Sequence, residues 1–470
     1  MKNHAICETI QRFSDSVKNA IGHKIALGTT LALFMFNGFA GAQSGPTEFV
    51  PFRNFVDQTT TANAADFLGR PSSKVKDAAA FEEMRQHILN MYQGVDVIHS
   101  FVRDSSHYDC VPIMQQPAVR KYGIKQIPTP PPQSSFDNSS NAPFDALAGI
   151  KPASALDSEK PFDEFGNSTQ CEDGTVAIRR VTLETATRFQ TLQQFFQKSP
   201  NERVPGQEGK FAPPGGPAHK YSTTYQLVDN HGGQSNLNVW DPQVNTSDGE
   251  VFSLSQEWYV GGINTGVPPC GGPQSCSIQT EEVGWVVYPA MFGDEKPHLF
   301  IFSTPDGYDT GCWDNSCGDF VVVKDGGDIG ASLSPISVLD GAQYEVALQY
   351  QFTGGNWWVC VQGTCIGFYP GSMYHGGQNT KHAQEIEFGT EAVGTNVWPP
   401  AGSGQWPSKG FKYAAYQRDL FYINTSSKSV WDTLTPDISS PKCYSIGGPF
   451  SGTGAWTVYF YDGGPGGKGC

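Results

Sequence analysis

This 470-residue sequence is poor in charged residues, and positive charges are scarcer than negative ones. Only 16% of its residues are charged, and 46 acidic against 31 basic residues give a net charge of −15. Such a chain repels phosphate backbones and anionic membrane surfaces. The composition therefore argues against a nucleic-acid-binding protein, and the acidic excess itself is ordinary for solubility.

Several motifs of common catalytic and metal sites are also missing. The sequence contains no GxSxG, HExxH, P-loop or CxxC, so serine-hydrolase, zinc-protease and nucleotide-binding chemistry find no support. Asp306, Asp309, Asp314 and Asp319 miss the spacing of an EF-hand and suit turns better than a calcium site. We expect neither a metal nor another cofactor.

An apolar run near the N-terminus predicts export. Residues 25–39 are apolar, follow Lys24 and precede Ala40-Gly41-Ala42, which is the order of a secretory signal. We place the signal at residues 1–42 and expect a secreted protein, extracellular or periplasmic, with no membrane contact after cleavage. An uncleaved membrane anchor is the weaker alternative, because the run is short for a membrane span.

The cysteines agree with an exported chain. Removing the signal removes Cys7 and leaves ten cysteines, an even number that suits disulfides; they are Cys110, Cys171, Cys270, Cys276, Cys312, Cys317, Cys360, Cys365, Cys443 and Cys470. The two-residue turn Gln362-Gly363 would set Cys360 opposite Cys365 across a hairpin. Zinc is the alternative for clustered cysteines and ranks lower without a CxxC.

Pattern changes along the chain divide it into segments. Residues 43–76 lack periodicity and predict a flexible lead. Residues 77–205 predict a small α+β region with a Pro/Ser-rich linker at 128–168, and residues 206–218 form a second linker before a main domain at 219–470. The small region holds two predicted helices, one with Phe81, Met84, Ile88 and Met91 and one with Leu183, Ala186, Phe189, Leu192 and Phe196 as apolar faces.

The sequence of the main domain predicts a series of β-strands. The chain has 53 Gly, 33 Pro and 12% aromatic residues, which favours short strands joined by turns. In residues 344–352, Val346, Leu348 and Tyr350 alternate with Gln349 and Gln351, which indicates one buried and one solvent-facing side. We predict an all-β main domain, an antiparallel β-sandwich of two packed sheets.

Two strand candidates each carry carboxylates on one face. Alternation groups Glu282 with Tyr288 in residues 277–306 and sends Trp285 to the opposite, core-like face. In residues 384–393 it groups Glu385, Glu387 and Glu391. Two carboxylates from distant strands could therefore meet. Glu281, Glu385 and Glu387 are alternatives to Glu282 and Glu391, or else line a solvent-facing side of a sheet.

Ordered motifs over most of the chain resemble the neprosin family of glutamic peptidases. In the N-terminal region they are YDCVPIMQQPAV and CEDGTVAIRR, which look like the family's activation peptide. In the main domain they are LNVWDPQV, FSLSQEWYVGG, EEVGWVVYP, DGYDTGCWDNSCGDFV, GNWWVCVQGTCIGFYP, EFGTE, GFKYAAYQRD and YFYDGGPGG. The family's own pattern has Gly where Thr390 stands here, and cysteines 270, 276, 360 and 365 are additional.

The resemblance implies a secreted zymogen that cleaves peptide bonds, often after proline, with Glu282 and Glu391 as the catalytic pair. Two acids held close share one proton, so we expect an acid pH optimum. Tyr288, Gln256 and Glu387 are the candidate substrate-binding residues. We expect proline-containing peptides or proteins as substrates, and the chain's own propeptide as an intramolecular inhibitor.

Three further expectations accompany this interpretation. We predict the disulfides Cys110–Cys171, Cys312–Cys317 and Cys443–Cys470. Prolines 205, 213, 214 and 217 stand just before the main domain, so an enzyme that cuts after proline could release itself. A β-sandwich glycoside hydrolase with paired carboxylates and a non-catalytic binding module on the same fold are the rival functions.

Overall fold

The computed structural model describes residues 48–132, 150–155, 160–198, 218–262, 278–324 and 329–470. The predicted signal, Cys270, Cys276 and the four linker prolines lie outside these residues. In the part described, no helix is both long enough and apolar enough to span a bilayer.

Residues 48–198, here called the N-terminal region, contain most of the helices. The helices are α1 (Phe52–Thr61), α2 (Ala78–Tyr92), α3 (Pro117–Lys121), α4 (Leu183–Ala186), α5 (Leu192–Phe196) and, in the main domain, α6 (Pro289–Phe292). Helix α2 confirms the first predicted helix: it starts at an Asp77 cap that accepts a hydrogen bond from the Ala80 N–H, and its four predicted apolar residues are buried.

Two expectations for the N-terminal region are wrong. The second predicted helix is two short helices, because Thr182 and Thr191 each cap a new start. The described part of the predicted flexible lead contains helix α1. Phe52 and Phe55 of α1 pack their rings edge-on against Tyr92, and these contacts order a segment that has no apolar periodicity.

The remaining elements are strands. They are β1 (His99–Arg103), β2 (Ser106–Pro112), β3 (Ile150–Pro152), β4 (Ser154–Ala155), β5 (Thr175–Arg179), β6 (Ala218–Asn238), β7 (Glu250–Gly261), β8 (Gln279–Val287), β9 (His298–Thr304), β10 (Cys312–Trp313), β11 (Val321–Val322), β12 (Leu333–Ser334), β13 (Gln343–Thr353), β14 (Asn356–Val361), β15 (Thr364–Pro370), β16 (Ala383–Gly394), β17 (Val397–Trp398), β18 (Ala415–Asn424), β19 (Ser429–Trp431), β20 (Thr435–Ile438), β21 (Ser445–Ser451), β22 (Val458–Gly463) and β23 (Gly467–Lys468).

The main domain is built on one large sheet, which confirms the all-β prediction. Its described strands run β10-β9-β8-β7-β16-β6-β13-β14-β15-β11, with β3 and β18–β22 joined at the sides. The sheet curls on itself, because the rings of Tyr259 on β7 and Tyr350 on β13 lie 5.4 Å apart although β16 and β6 separate their strands. The two packed layers are therefore parts of one antiparallel sheet, with the core between them.

The predicted solvent-facing side of β13 is wrong. Val346, Leu348 and Tyr350 are buried in the core as expected, but Glu345, Gln349 and Gln351 on the other side are buried as well. Glu345 pairs with Arg418 of β18 at 2.5 Å, so further strands of the main domain cover this side. A buried polar row of this kind alternates in sequence just as a solvated one does.

The N-terminal region packs directly onto the main domain. Residues Phe81, Ile88 and Phe195 belong to the same buried apolar cluster as Phe252 and Trp258 of strand β7. The predicted Pro/Ser-rich linker contributes to this contact where it is described, since β3 pairs in parallel with β13. The linker is thus partly a strand at the edge of the main sheet.

Four disulfides are formed among the described cysteines, and all four were predicted. They are Cys110–Cys171, Cys312–Cys317, Cys360–Cys365 and Cys443–Cys470. Gln362 and Gly363 both have positive φ, at 48° and 76°, as the predicted two-residue hairpin turn requires.

Removing the Cys443–Cys470 disulfide by serine substitution at both positions is expected to lower the free energy of unfolding by about 3–4 kcal/mol, because the bond closes a loop with a sequence separation of 27. Cys360–Cys365 has a separation of 5 and serves as the matched control, with an expected loss of about 2 kcal/mol. Chemical denaturation of both variants measures the difference. Equal losses would show that loop closure is not the source of the stabilisation.

Candidate active site

Four neighbouring strands bring the predicted residues to one face of the sheet. Strand β8 carries Glu282, β7 carries Gln256, β16 carries Glu391 and β6 carries His219, and these strands are adjacent in the order β8-β7-β16-β6. Residues that alternate with them, such as Val283, lie in the core on the other side. The two candidate glutamates therefore face the N-terminal region.

Two glycines lie opposite Gln256 in the sheet and allow the strands to pack closely there. In the register of the sheet, Gln256 lies opposite Gly284 on one side and Gly389 on the other. A Cβ at Gly284 would lie 2.1 Å from the Ser255 carbonyl oxygen and 2.6 Å from the Gln256 Cβ. At Gly389, where φ is +151°, a Cβ would lie 2.4 Å from the Ser222 carbonyl oxygen. A larger residue at Gly284 would displace the strand that carries Gln256, and a larger residue at Gly389 would displace strand β6.

Lys198, the last described residue of the N-terminal region, joins the two glutamates. Its Nζ lies 2.6 Å from Glu282 Oε2 and 2.9 Å from Glu391 Oε2. The two carboxylate oxygens are thus separated by no more than the sum of these distances. Gln256 completes the arrangement, because its Oε1 accepts from Nζ at 3.0 Å and its Nε2 donates to Glu282 Oε2 at 2.9 Å.

Further hydrogen bonds fix the orientation of each carboxylate. The Thr280 and Tyr308 hydroxyls both donate to Glu282 Oε1 at 2.8 Å. Glu391 Oε1 contacts His219 Nδ1, and the Tyr221 hydroxyl lies 3.3 Å from the same ring nitrogen. Each glutamate has one oxygen held by the sheet and one oxygen that points toward Lys198.

The walls around the Lys198 ammonium are aromatic. Its Nζ lies 5.2 Å from the ring centroid of Trp258 and between 5.8 and 6.0 Å from those of Phe300, Phe302 and Trp313. The Lys198 side chain is only 1% exposed. Charges in such a dry site interact more strongly than they would in water, so the ammonium and the two carboxylates depend on one another.

The electrostatics of Glu391 follow from these contacts. Burial favours the neutral acid and so raises its pKa, but the charges of Lys198 and His219 and their hydrogen bonds outweigh burial and lower the pKa to about 2. A lowered folded-state pKa stabilises the protein above the ordinary value of 4.5, and this stabilisation is lost as the pH falls toward 2.

Glu391→Gln should therefore destabilise the full chain more at pH 7 than at pH 3. The expected loss is on the order of 3 kcal/mol at pH 7, and it shrinks as acid protonates the wild-type carboxylate. Thermal unfolding of both proteins across this pH range measures the effect. A difference between the two proteins that does not change with pH would contradict it.

The other predicted residues lie elsewhere. Tyr288 is on the same face but packs into an aromatic cluster with Phe252 and Trp313. Glu387 lies opposite Trp258 in the register and is 3% exposed. Glu385, at 2% exposed, is one of the remaining alternative carboxylates, and the solvent-facing side proposed for this group is wrong because all of its members are buried.

Glu281, the neighbour of Glu282, faces the opposite way. It accepts a hydrogen bond from Asn379 Nδ2 at 2.8 Å, and burial raises its pKa. Trp285 also faces this side and is core, as predicted, with its indole N–H donating to the Asn238 carbonyl at 3.1 Å. Glu281 is therefore a structural acid on the other face of the strand and not a member of the pair.

Sequence reasoning missed Lys198, His219, Thr280 and Tyr308. Lys198 follows a short aromatic helix and precedes the second linker, which in sequence looks like an ordinary linker lysine. Thr280 lies two residues before Glu282, and strand alternation places it on the same face. That spacing is a signal that could have identified Thr280, whereas Tyr308 lies in a loop and has no such pattern.

Three groups of His, Cys, Asp and Glu in the described chain are close enough to hold a metal, and none includes Glu282 or Glu391. Two of them contain disulfide-bonded cysteines. In the third, Asp104 already pairs with Lys296 Nζ at 2.5 Å. Two of the four expected turn aspartates also have partners, because Asp306 accepts from the Thr310 N–H and Asp319 accepts from Lys121 and Tyr122.

Comparison with known proteins identifies the main domain. Two solved structures of scytalido-glutamic peptidase with transition-state analogues align at 8% and 9% identity over 53% of this chain and 98% and 99% of theirs, each with a TM-score of 0.28. A homodimeric agglutinin from chicken liver, CG-16, aligns at 11% identity over 38% of this chain and 96% of its own, with a TM-score of 0.17. At these TM-scores the structural likeness decides nothing about the site. Residues 249–465, which carry Gln256, Glu282 and Glu391, match the neprosin family model, so the main domain of this chain is a neprosin-family domain.

Proposed function

We propose that this protein is a secreted glutamic peptidase, made as a zymogen, in which Glu282 and Glu391 activate a water molecule at acidic pH. The observation that carries the proposal is the meeting of these two buried carboxylates at one ammonium. The match of residues 249–465 to the neprosin family model supports a peptidase. The four disulfides fit folding in an oxidising compartment.

The chemistry needs a pair of acids in different protonation states. Once Lys198 leaves, Glu282 and Glu391 lie close together without a compensating ammonium, so ionising both is unfavourable and the pair holds one proton. The ionised partner takes a proton from the water that attacks the scissile carbonyl carbon, while the protonated partner donates a hydrogen bond to the carbonyl oxygen. A proton from the pair then passes to the leaving nitrogen as the C–N bond breaks. The proton belongs to the pair, so neither glutamate is assigned one role.

Gln256 has the properties of an additional donor in this reaction. Its amide reaches Glu282 Oε2 at 2.9 Å, and Gly284 lets the strand that carries it pack closely against β8. An amide aimed at the position where negative charge develops stabilises the transition state. This assignment agrees with the substrate-binding role expected for Gln256 from the sequence.

The N-terminal region would keep the enzyme latent. Lys198 Nζ occupies the space between the two carboxylates that an attacking water needs, and neutralises the charge on which the reaction depends. Contacts elsewhere hold the region closed, including hydrogen bonds of 2.7 and 2.9 Å between the Gln116 amide and the Val322 main chain. Release of this region would then create the active enzyme.

Specificity for proline and self-release remain part of the proposal. The aromatic walls now lining the Lys198 side chain suit a compact apolar ring such as that of proline once the lysine has gone. Cleavage after a proline of the 206–218 linker would separate the two regions. Glu282→Gln protein that still matures in purified form at acidic pH would exclude self-release.

The test incubates acid-treated protein with a mixed proteome at pH 3–5 and identifies the released peptides by mass spectrometry. In parallel, the same protein is incubated with a panel of polysaccharides. We expect new peptide carboxyl termini, enriched in proline, and no sugar release. Sugar release without peptide cleavage would favour the glycoside hydrolase. Inactivity on both, after demonstrated loss of the N-terminal region, would favour a binding module.

A further inference from the structure

Next to Lys198, the residue Gln197 also contacts the main domain. Helix α5 ends at Phe196, and Gln197 is extended with φ −72° and ψ 143°, a conformation that a peptide substrate also adopts in a cleft. Phe196 packs against His87 of the N-terminal region, with ring centroids 4.8 Å apart. Gln197 thus lies on the main domain in an extended form, directly before Lys198.

Gln197 is bound at both its main chain and its side chain. Its carbonyl oxygen accepts from the Trp313 indole N–H at 3.3 Å. Its side-chain Nε2 donates to the Tyr308 carbonyl at 3.3 Å and the Asp309 carbonyl at 3.4 Å. The main domain therefore offers one donor to the main chain of the residue and two acceptors to its side chain.

These groups are held by the main domain itself. Trp313 is fully buried and packs edge-on against Phe252 and Phe302. The loop that carries Tyr308 is fastened by Asp306, whose carboxylate accepts from the Thr310 N–H at 2.7 Å and its hydroxyl at 2.6 Å. The arrangement should therefore persist after the N-terminal region has left.

We propose that Trp313 and the carbonyls of Tyr308 and Asp309 form a substrate subsite that selects glutamine, or another side chain with an uncharged N–H donor, over an acid. This proposal rests on the proposed peptidase function. In a substrate that runs in the direction of residues 197–198, the selected residue immediately precedes the one at the catalytic pair.

The selection follows from the chemistry of the lining. Carbonyl oxygens only accept hydrogen bonds, so an amide N–H satisfies them and a carboxylate of the same shape faces them with negative charge. A site built for a donor rejects an analogue that lacks it, because its polar groups lose their partner. The Gln197 side chain is only half-buried and the loop is near the surface, so we expect a preference of about tenfold.

The test uses peptides that differ at one position, measured as kcat/KM with the released main domain at pH 5.5, where a glutamate side chain is ionised. Glutamine, glutamate and methionine are compared on each side of the residue that occupies the catalytic position. The kcat/KM of the glutamine peptide should exceed that of the glutamate peptide about tenfold. It should also exceed that of the methionine peptide, and both differences should appear on one side only. Equal rates for all three residues on both sides would overturn the subsite.

A second measurement does not depend on hydrolysis, so failure of the peptidase proposal and failure of the subsite can be told apart. In the full chain, Gln197→Glu places a carboxylate against the same two carbonyls. Its thermal midpoint should fall at pH 7 and recover toward pH 4, whereas the exposed control Gln193→Glu should change little at either pH. A Gln197→Glu midpoint that follows the control would contradict the subsite even if no peptide were cleaved.

A separate substitution tests the contact that Trp313 makes. Trp313→Phe keeps an aromatic ring and removes the N–H that binds the main chain. It should raise KM for the glutamine and glutamate peptides by a similar factor and leave their ratio unchanged. Loss of the glutamine preference in this variant would mean that the Tyr308 and Asp309 carbonyls do not select the side chain independently of the Trp313 contact, contrary to the proposal.

Discussion

Glu282→Gln and Glu391→Gln should each reduce peptide hydrolysis at acidic pH by about 10²–10⁴-fold, the usual contribution of a general acid or base. Glutamine keeps the shape of the side chain but cannot carry or release the shared proton. The effect should appear in kcat rather than in KM, because the lost interaction belongs to the reaction and not to substrate binding. Steady-state kinetics of the released main domain measure both values.

Glu281→Gln is the matched control for this prediction. Glu281 is the adjacent residue, is equally buried, and faces the core side of strand β8. Burial raises its pKa and so favours the neutral acid, which an amide resembles in shape and charge, and activity should remain within about twofold of the wild type. Similar losses in Glu281→Gln and Glu282→Gln would show that the strand, and not the proposed pair, is being disturbed.

Lys198→Met should open the uncleaved chain. Methionine keeps most of the apolar stem and removes the ammonium that compensates two buried carboxylates. Removing one partner of a buried ion pair costs about 3–5 kcal/mol, since it leaves uncompensated charge. At pH 7 the free-energy difference that favours the closed form is therefore smaller by that amount in the variant. The full-length variant should hydrolyse added peptide at pH 5 at least tenfold faster than full-length wild type, before any cleavage of the chain.

The control for Lys198→Met is Lys125→Met, an exposed lysine of the same region. It should leave both the latency and the thermal midpoint unchanged. Gel analysis of each reaction confirms that the chain is intact when the rate is measured. If intact Lys198→Met remained as inactive as the wild type while unfolding at the same temperature, the ammonium would not be what holds the cleft closed.

The candidate pair could be predicted because the sequence patterns that indicate it are local or are shared with a known family. Strand alternation orients Glu282 away from Glu281, and the glycines near Glu391 mark close packing of backbones. Lys198 could not be predicted in this way, because its contact with Glu282 spans 84 residues and depends on how the N-terminal region docks. His219 gave no signal either, since only the pairing of β6 with β16 brings it to Glu391.

The errors in the fold have a common physical cause. Alternation in β13 reports two different faces but not what covers them, and Arg418 provides the partner that lets Glu345 be buried. Helix α1 lacks a periodic apolar face, yet Phe52 and Phe55 order it through contacts with Tyr92. In both cases a residue distant in sequence supplies the interaction, and single-sequence patterns do not contain it.

The pH dependence of kcat/KM for the released main domain on a proline-containing peptide tests most directly whether Glu282 and Glu391 work as a pair. If they share one proton, the profile is a bell with its maximum in the acid range, and either glutamine variant removes it. A rate that keeps rising through pH 8 would contradict the pair.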